Sequence, residues 1–146
     1  MSQMPGLVLP AFFSYYSSPV KMMPTSDGGL MAWRLSIDTG GWEAATHLVD
    51  EILFAVGGEI SVLTADEFVQ RTEHDRGHYL QGEGPLFALY ETVRGIEERL
   101  GRERRYPTPR EQALIRGIRR KTFVMFEEEL QRAGDPGADP TIATQV

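Results

Sequence analysis

Two of the three histidines, His74 and His78, stand four residues apart in the stretch Glu73-His74-Asp75-Arg76-Gly77-His78. On a helix this spacing turns both imidazoles to one side. Zinc hydrolases hold their ion in this way, with a glutamate after the first histidine as general base. Here Asp75 stands in the glutamate's place, one methylene shorter, and nothing in the sequence nominates a third ligand. Gly77 inside a helix costs about 1 kcal/mol relative to alanine. Asp-Arg-Gly therefore reads better as a helix C-terminus, with Gly77 left-handed and His74 beside the negative pole of the helix. A metal-dependent hydrolase built on His74 and His78 is the least favoured reading, and no cofactor is expected.

A second arrangement, Glu43, His47 and Glu51, repeats every four residues. A carboxylate beside an imidazole raises its basicity, which is the raw material of general-base catalysis. The simpler reading is a solvated helix face. Phe54 falls among those polar residues. It is expected to be buried under another element; otherwise it serves as an anchor for a partner, ringed by Glu43, Asp50 and Glu51.

Charge is unevenly divided along the chain. Ten basic and four acidic residues lie between Arg94 and Lys121, and the remainder holds five basic and seventeen acidic ones. Arg104, Arg105, Arg116, Arg119, Arg120 and Lys121 form a candidate basic patch. Arginine forks grip phosphate, and Tyr106 offers a ring on which a base could stack, so nucleic acid or a phosphorylated ligand is one reading. Interleaved glutamates and an acidic remainder that repels a polyanion count against it. The preferred reading sets this segment against an acidic surface of a partner or of another copy.

The chain lacks cysteine, which removes disulfides, thiolate nucleophiles and Cys-based metal sites. No GxGxxG, Walker, GxSxG or HExxH motif is present. No apolar run approaches the roughly 20 residues of a membrane span. The opening residues have no basic region, and Pro10 breaks their apolar run, so no leader is expected and a cytoplasmic location is.

These residues must be positioned by the elements that periodicity predicts. An irregular or edge strand is expected within residues 7–23, where Phe12 and Tyr16 point one way and Phe13 and Tyr15 the other, so that one pair is free for an interface. Ser26-Asp27-Gly28-Gly29 signals a turn, and Met31, Trp33, Leu35 and Ile37 alternate as a strand. A crossing helix is predicted over 41–56, its buried arc running from Trp42 through Ala45, Leu48, Val49, Ile52 and Leu53 to Val56. A short strand follows over 59–63. Thr64 with Glu67, and Thr108 with Glu111, have capping-box spacing and open helices; a third helix begins near Pro85.

The expected fold is α+β, a small N-terminal sheet of two to three strands with a crossing helix, then a helical C-terminal half. Residues 1–133 form its one domain. The Gly/Pro-rich tail 134–146 is expected to be disordered unless a partner holds it. The functional expectation is a non-enzymatic protein-binding module, an inhibitor or immunity-type protein or a subunit of a larger assembly. Its anchors come from Phe12, Phe13, Tyr15, Tyr16 and Phe54.

Overall fold

A computed structural model describes residues 7–55 and 57–145. The α+β class holds, but the sheet has five antiparallel strands rather than two to three. The strands are β1 (Ala11–Tyr15), β2 (Ser18–Pro24), β3 (Leu30–Leu35), β4 (Trp42–Ala44) and β5 (Ile60–Leu63), in the order β4-β3-β2-β1-β5. The helices are α1 (Val49–Phe54), α2 (Ala65–Tyr79), α3 (Pro85–Glu103) and α4 (Pro109–Arg132).

Two local conformations account for the extra strands. The aromatic opening is a hairpin rather than one strand. Tyr16 and Ser17 carry φ of 48° and 70° between β1 and β2, the left-handed pair that a two-residue hairpin turn requires. Asn-Gly or Asp-Gly announces such a turn in most sequences; Tyr-Ser does not. The second is the start of the predicted crossing helix, which is a strand. Gly40, at φ 78°, turns the chain back so that Trp42 pairs with Leu35. A Cβ at Gly40 would run into the rings of Phe126 and the methyls of Leu80. The helix shrinks to Val49–Phe54, after a single 3-10 turn over Thr46–Leu48. Val56, the last residue of the predicted arc, lies outside the described residues.

The sheet is covered unequally on its two faces. On one face Phe12, Trp33, Leu35 and Trp42 pack with Phe68 of α2 and Phe123 of α4. On the other, Phe13, Val20, Met22 and Ala32 pack with Leu48, Val49 and Ile52 around the short α1. Trp42 and Ala45 thus belong to opposite faces, although helical periodicity places them on one arc. α3 adds a third layer through Leu86 and Tyr90, which meet Phe126. Both capping boxes form, at Thr64–Glu67 and Thr108–Glu111. No helix among the described residues is long and apolar enough to cross a membrane.

The tail departs from its expected disorder. Ile142 is fully buried, 0% exposed, in the same cluster as Phe68 and Phe123. Gly137 lies against Trp33 and Trp42, too close for a Cβ. Asp135 accepts the Trp42 backbone N–H at 3.0 Å and so occupies the outer edge of β4. Glycine and proline here fit a close approach rather than a flexible linker. Ile142→Ala is expected to cost about 2–5 kcal/mol in urea denaturation, the range for a buried isoleucine. A loss below about 0.5 kcal/mol, typical of surface positions, would place the tail outside the core.

Candidate functional site

The Glu73–His78 stretch forms the C-terminal turns of α2, as expected, but Gly77 is helical rather than left-handed. α2 runs through Gly77 to Tyr79 before extended Leu80 stops it. Gly77 serves packing: an added Cβ would meet Tyr90 Cδ1 at 3.3 Å. The two histidine rings stack with centroids 6.1 Å apart and planes within 6°, and His74 Nδ1 lies 3.1 Å from Asp75 Oδ1. Among the described residues no group of three or more His, Cys, Asp or Glu is placed to hold a metal ion. Beside them, Glu73, Tyr90, Arg94, Glu97 and Arg119 line a cleft of about 50 Å³ between α2, α3 and α4. That is room for a few waters at about 10–15 Å³ each, well below the roughly 300–1,000 Å³ of small-molecule sites.

The chemistry of this stretch lies in the residues between the histidines. Glu73 and Arg76 are fully buried and join Glu127 and Lys21 in a charge network inside the protein. Arg76 donates from Nη1 to Glu73 at 2.8 Å and from Nη2 to Glu127 at 2.5 Å; Nε and Nη2 reach the Gly40 carbonyl at 3.0 and 2.7 Å. Its guanidinium also lies 4.1 Å from the centroid of the Phe126 ring. Glu127 accepts from the Trp42 indole at 3.0 Å and from the Asp139 backbone N–H at 2.8 Å. Tyr90 donates its hydroxyl to Glu73 at 2.7 Å. Lys21 Nζ lies 3.9 Å from Glu127, 4.3 Å from the centroid of the Trp42 ring, and donates to the Gly137 carbonyl.

Two cations face two carboxylates, and the Gly40 and Gly137 carbonyls, the Trp42 indole, the Tyr90 hydroxyl and the Asp139 N–H supply further hydrogen bonds. Burial raises Glu73 above the usual carboxylate range despite Arg76 and the Tyr90 hydroxyl. Burial pulls Arg76 down, but Glu73 and Glu127 outweigh it and hold the guanidinium firmly protonated. Burial first, then the Glu73 carboxylate, keeps the Tyr90 phenol neutral. Every polar partner is inside, so the network is suited to holding elements together rather than to meeting a substrate.

The interaction candidates are separated by the fold. Phe12 and Phe13 are buried on opposite faces of the sheet. Tyr15 is half-buried and donates to Glu51 at 2.9 Å, and Tyr16 is exposed in the turn. Glu43 lies on β4, His47 in the 3-10 turn, and Asp50 and Glu51 on α1, so no Glu43–His47–Glu51 helix face exists. Phe54, expected to be buried, is 76% exposed at the end of α1. α1 is only six residues long and covers the β3 side of its face. Val62 of β5, paired with Phe13 and so on that same face, is left 65% exposed.

The edge beyond β5 is largely guarded. Ile60 exchanges its outward N–H and C=O with Gly57, at 3.0 and 2.7 Å. By antiparallel alternation only Val62 presents an outward pair.

Four of the six residues of the basic patch are paired within the molecule. Arg105 is held by Glu103 and Glu111, Arg116 and Arg120 by Asp66, and Arg119 by Glu97. The Arg105–Glu111 pair lowers Glu111 to about 2, chiefly through the Arg105 hydrogen bond. Arg104 and Lys121 are exposed.

Sequence reasoning passed over Lys21, Arg76, Tyr90 and Glu127. The available signals were a lone lysine in the apolar run Val20–Met23, and a carboxylate on the same side of α4 as Phe123 and Phe126. No protein-family model, curated protein or solved structure matches the chain.

Burial lowers Lys21 from 10.5 to about 8 in spite of Glu127, so between these values the folded chain has given up a proton that the unfolded chain retains. Stability therefore rises with pH across that interval. Denaturation of wild type and Lys21→Met at pH 8 and pH 10 is expected to show wild type gaining on the variant at the higher pH. A pH-independent difference would mean that Lys21 keeps ordinary basicity and is not buried as described.

Proposed function

We propose that this chain is a non-enzymatic protein-binding module whose docking surface is the α1 face of the sheet. The observation that carries the reading is Phe54, a large aromatic 76% exposed on a helix that also exposes Asp50 and Glu51. An exposed aromatic beside a surface that is mainly acidic, with Arg34 as its half-buried cation, has the composition of an interface anchor. The ring fills a pocket on the partner, and the charges orient the approach and quicken it. Glu43 adds to the acidic residues and Val62 to the exposed apolar ones.

The same features favour a partner with an apolar pocket bordered by lysine or arginine. An inhibitor or immunity-type protein, or a subunit of a larger assembly, uses such a surface. A cytoplasmic setting accords with a chain that has no cysteine to oxidise. The basic patch supports a phosphate-binding role less well, because four of its six side chains already face carboxylates.

Untagged chain purified gently at low salt is expected to carry a protein-sized increment over the monomer mass in native mass spectrometry. Phe54→Asp is expected to remove that increment with the melting temperature unchanged, since Phe54 contributes little to the core. An increment that persists in Phe54→Asp, or a nucleic-acid increment in its place, would refute the docking surface.

A further inference from the structure

The next step rests on the reading of the Phe54 face as a docking surface and names what docks there. Once internal ion pairs are removed, unpaired arginines remain gathered at the α3–α4 turn, with Glu98 one turn before Arg102 on α3. Among the described residues Arg102, Arg104 and Arg110 make no ion pair, although their neighbours Arg99 and Arg105 do. Arg102 lies in the last turn of α3, Arg104 caps it in the left-handed conformation at φ 51°, and Arg110 lies in the first turn of α4. Between them Tyr106 is 93% exposed, and Leu114, one turn beyond Arg110, is also exposed. The α3–α4 turn thus has an apolar centre in a basic rim.

The Phe54 face is the converse. Glu43 and Asp50 make no ion pair among the described residues, and Glu51 accepts the Tyr15 hydroxyl; the half-buried Arg34, opposite Glu43 and 5.4 Å from the Tyr15 ring, leaves these three carboxylates in excess. Phe54 and Val62 are its exposed large apolar residues. The two surfaces are complementary in charge and alike in size of anchor. They also belong to opposite layers: α1 lies on one face of the sheet, and α3 and α4 belong to the helical layer on the other. One molecule cannot bring them together, but two can.

We propose that the partner of the Phe54 face is a second copy of this chain, which docks its α3–α4 turn there with Tyr106 and Leu114 against Phe54 and Val62. Arg102, Arg104 and Arg110 of the incoming copy meet Glu43, Asp50 and Glu51. The contact joins two different surfaces, so it is heterologous. Each added copy leaves one surface of each kind free, and association continues into a ring or an open chain. Exposed charges supply the orientation, so added salt weakens the contact.

Sedimentation of the purified full chain at rising concentration in low salt tests this, with one variant for each surface. Phe54→Asp removes the acidic-apolar surface. Tyr106→Glu combined with Arg110→Glu removes the basic one. All three positions are exposed, so unchanged circular dichroism and melting temperature will show that both variants fold. Wild type is expected to grow past the dimer, each variant alone to remain a monomer, and an equimolar mixture to stop at a doubled mass. In that mixture each variant brings the surface the other lacks.

A wild type that is monomeric at every concentration, or a mixture that does not dimerise, overturns the proposal. If purified wild type is monomeric yet gently isolated chain carries a different protein lost in Phe54→Asp, the partner is that protein and the docking surface stands. If neither preparation exceeds the monomer mass, both readings fall.

Discussion

Arg76 is the residue through which most of the fold is joined. It projects from α2 and binds Glu73 on its own helix, Glu127 on α4 and the Gly40 carbonyl between β3 and β4. Glu73 passes the connection to α3 through Tyr90, and Glu127 passes it to β4 through Trp42 and to the tail through Asp139. Lys21 adds β2. A buried charge carries a large desolvation cost, offset here only when all of these partners are in place at once. A buried guanidinium with fixed acceptors adds directional limits to the apolar packing of α2 and α4 on the sheet. This constraint ties α2, α3, α4 and the tail to the sheet. The α1 surface and the α3–α4 turn lie on opposite sides of that sheet.

Surface electrostatics show the same division between paired and unpaired charge. The basic segment stands out in the sequence, but most of its arginines are committed to Asp66, Glu97, Glu103 and Glu111. Such exposed pairs add little stability, typically about 0–1 kcal/mol each. Their consequence is for recognition, because they withdraw positive charge from a polyanion and concentrate what remains at the α3–α4 turn.

Local signals in the sequence were reliable where local chemistry decides the structure. Both capping boxes, the Ser26–Gly29 turn and the start of α3 at Pro85 form where their residue types require. Long-range partners decided the rest. The Tyr16–Ser17 turn has no glycine or asparagine to mark it, so β1 and β2 read as one strand. Gly40 and Trp42 make a strand because Phe126, Asp135 and Glu127, roughly ninety residues away, close around them. Phe54 read as buried because large apolar side chains usually end inside; at the end of the six-residue α1 it is exposed. The buried network was illegible for a related reason: a charged residue in a helix usually faces water, and only its partners' positions reveal otherwise.

The measurement closest to the central claim is a double-mutant cycle on Arg76 and Glu127, with unfolding free energies from urea titration. Arg76→Met and Glu127→Leu are each expected to cost about 3–5 kcal/mol, because each strands a buried charge. The double variant is expected to be more stable than their sum predicts, with a coupling at the upper end of the roughly 0.5–3 kcal/mol range of contacting residues. Single losses near zero, or additivity in the double variant, would mean that the two side chains are solvated and that the fold is joined some other way.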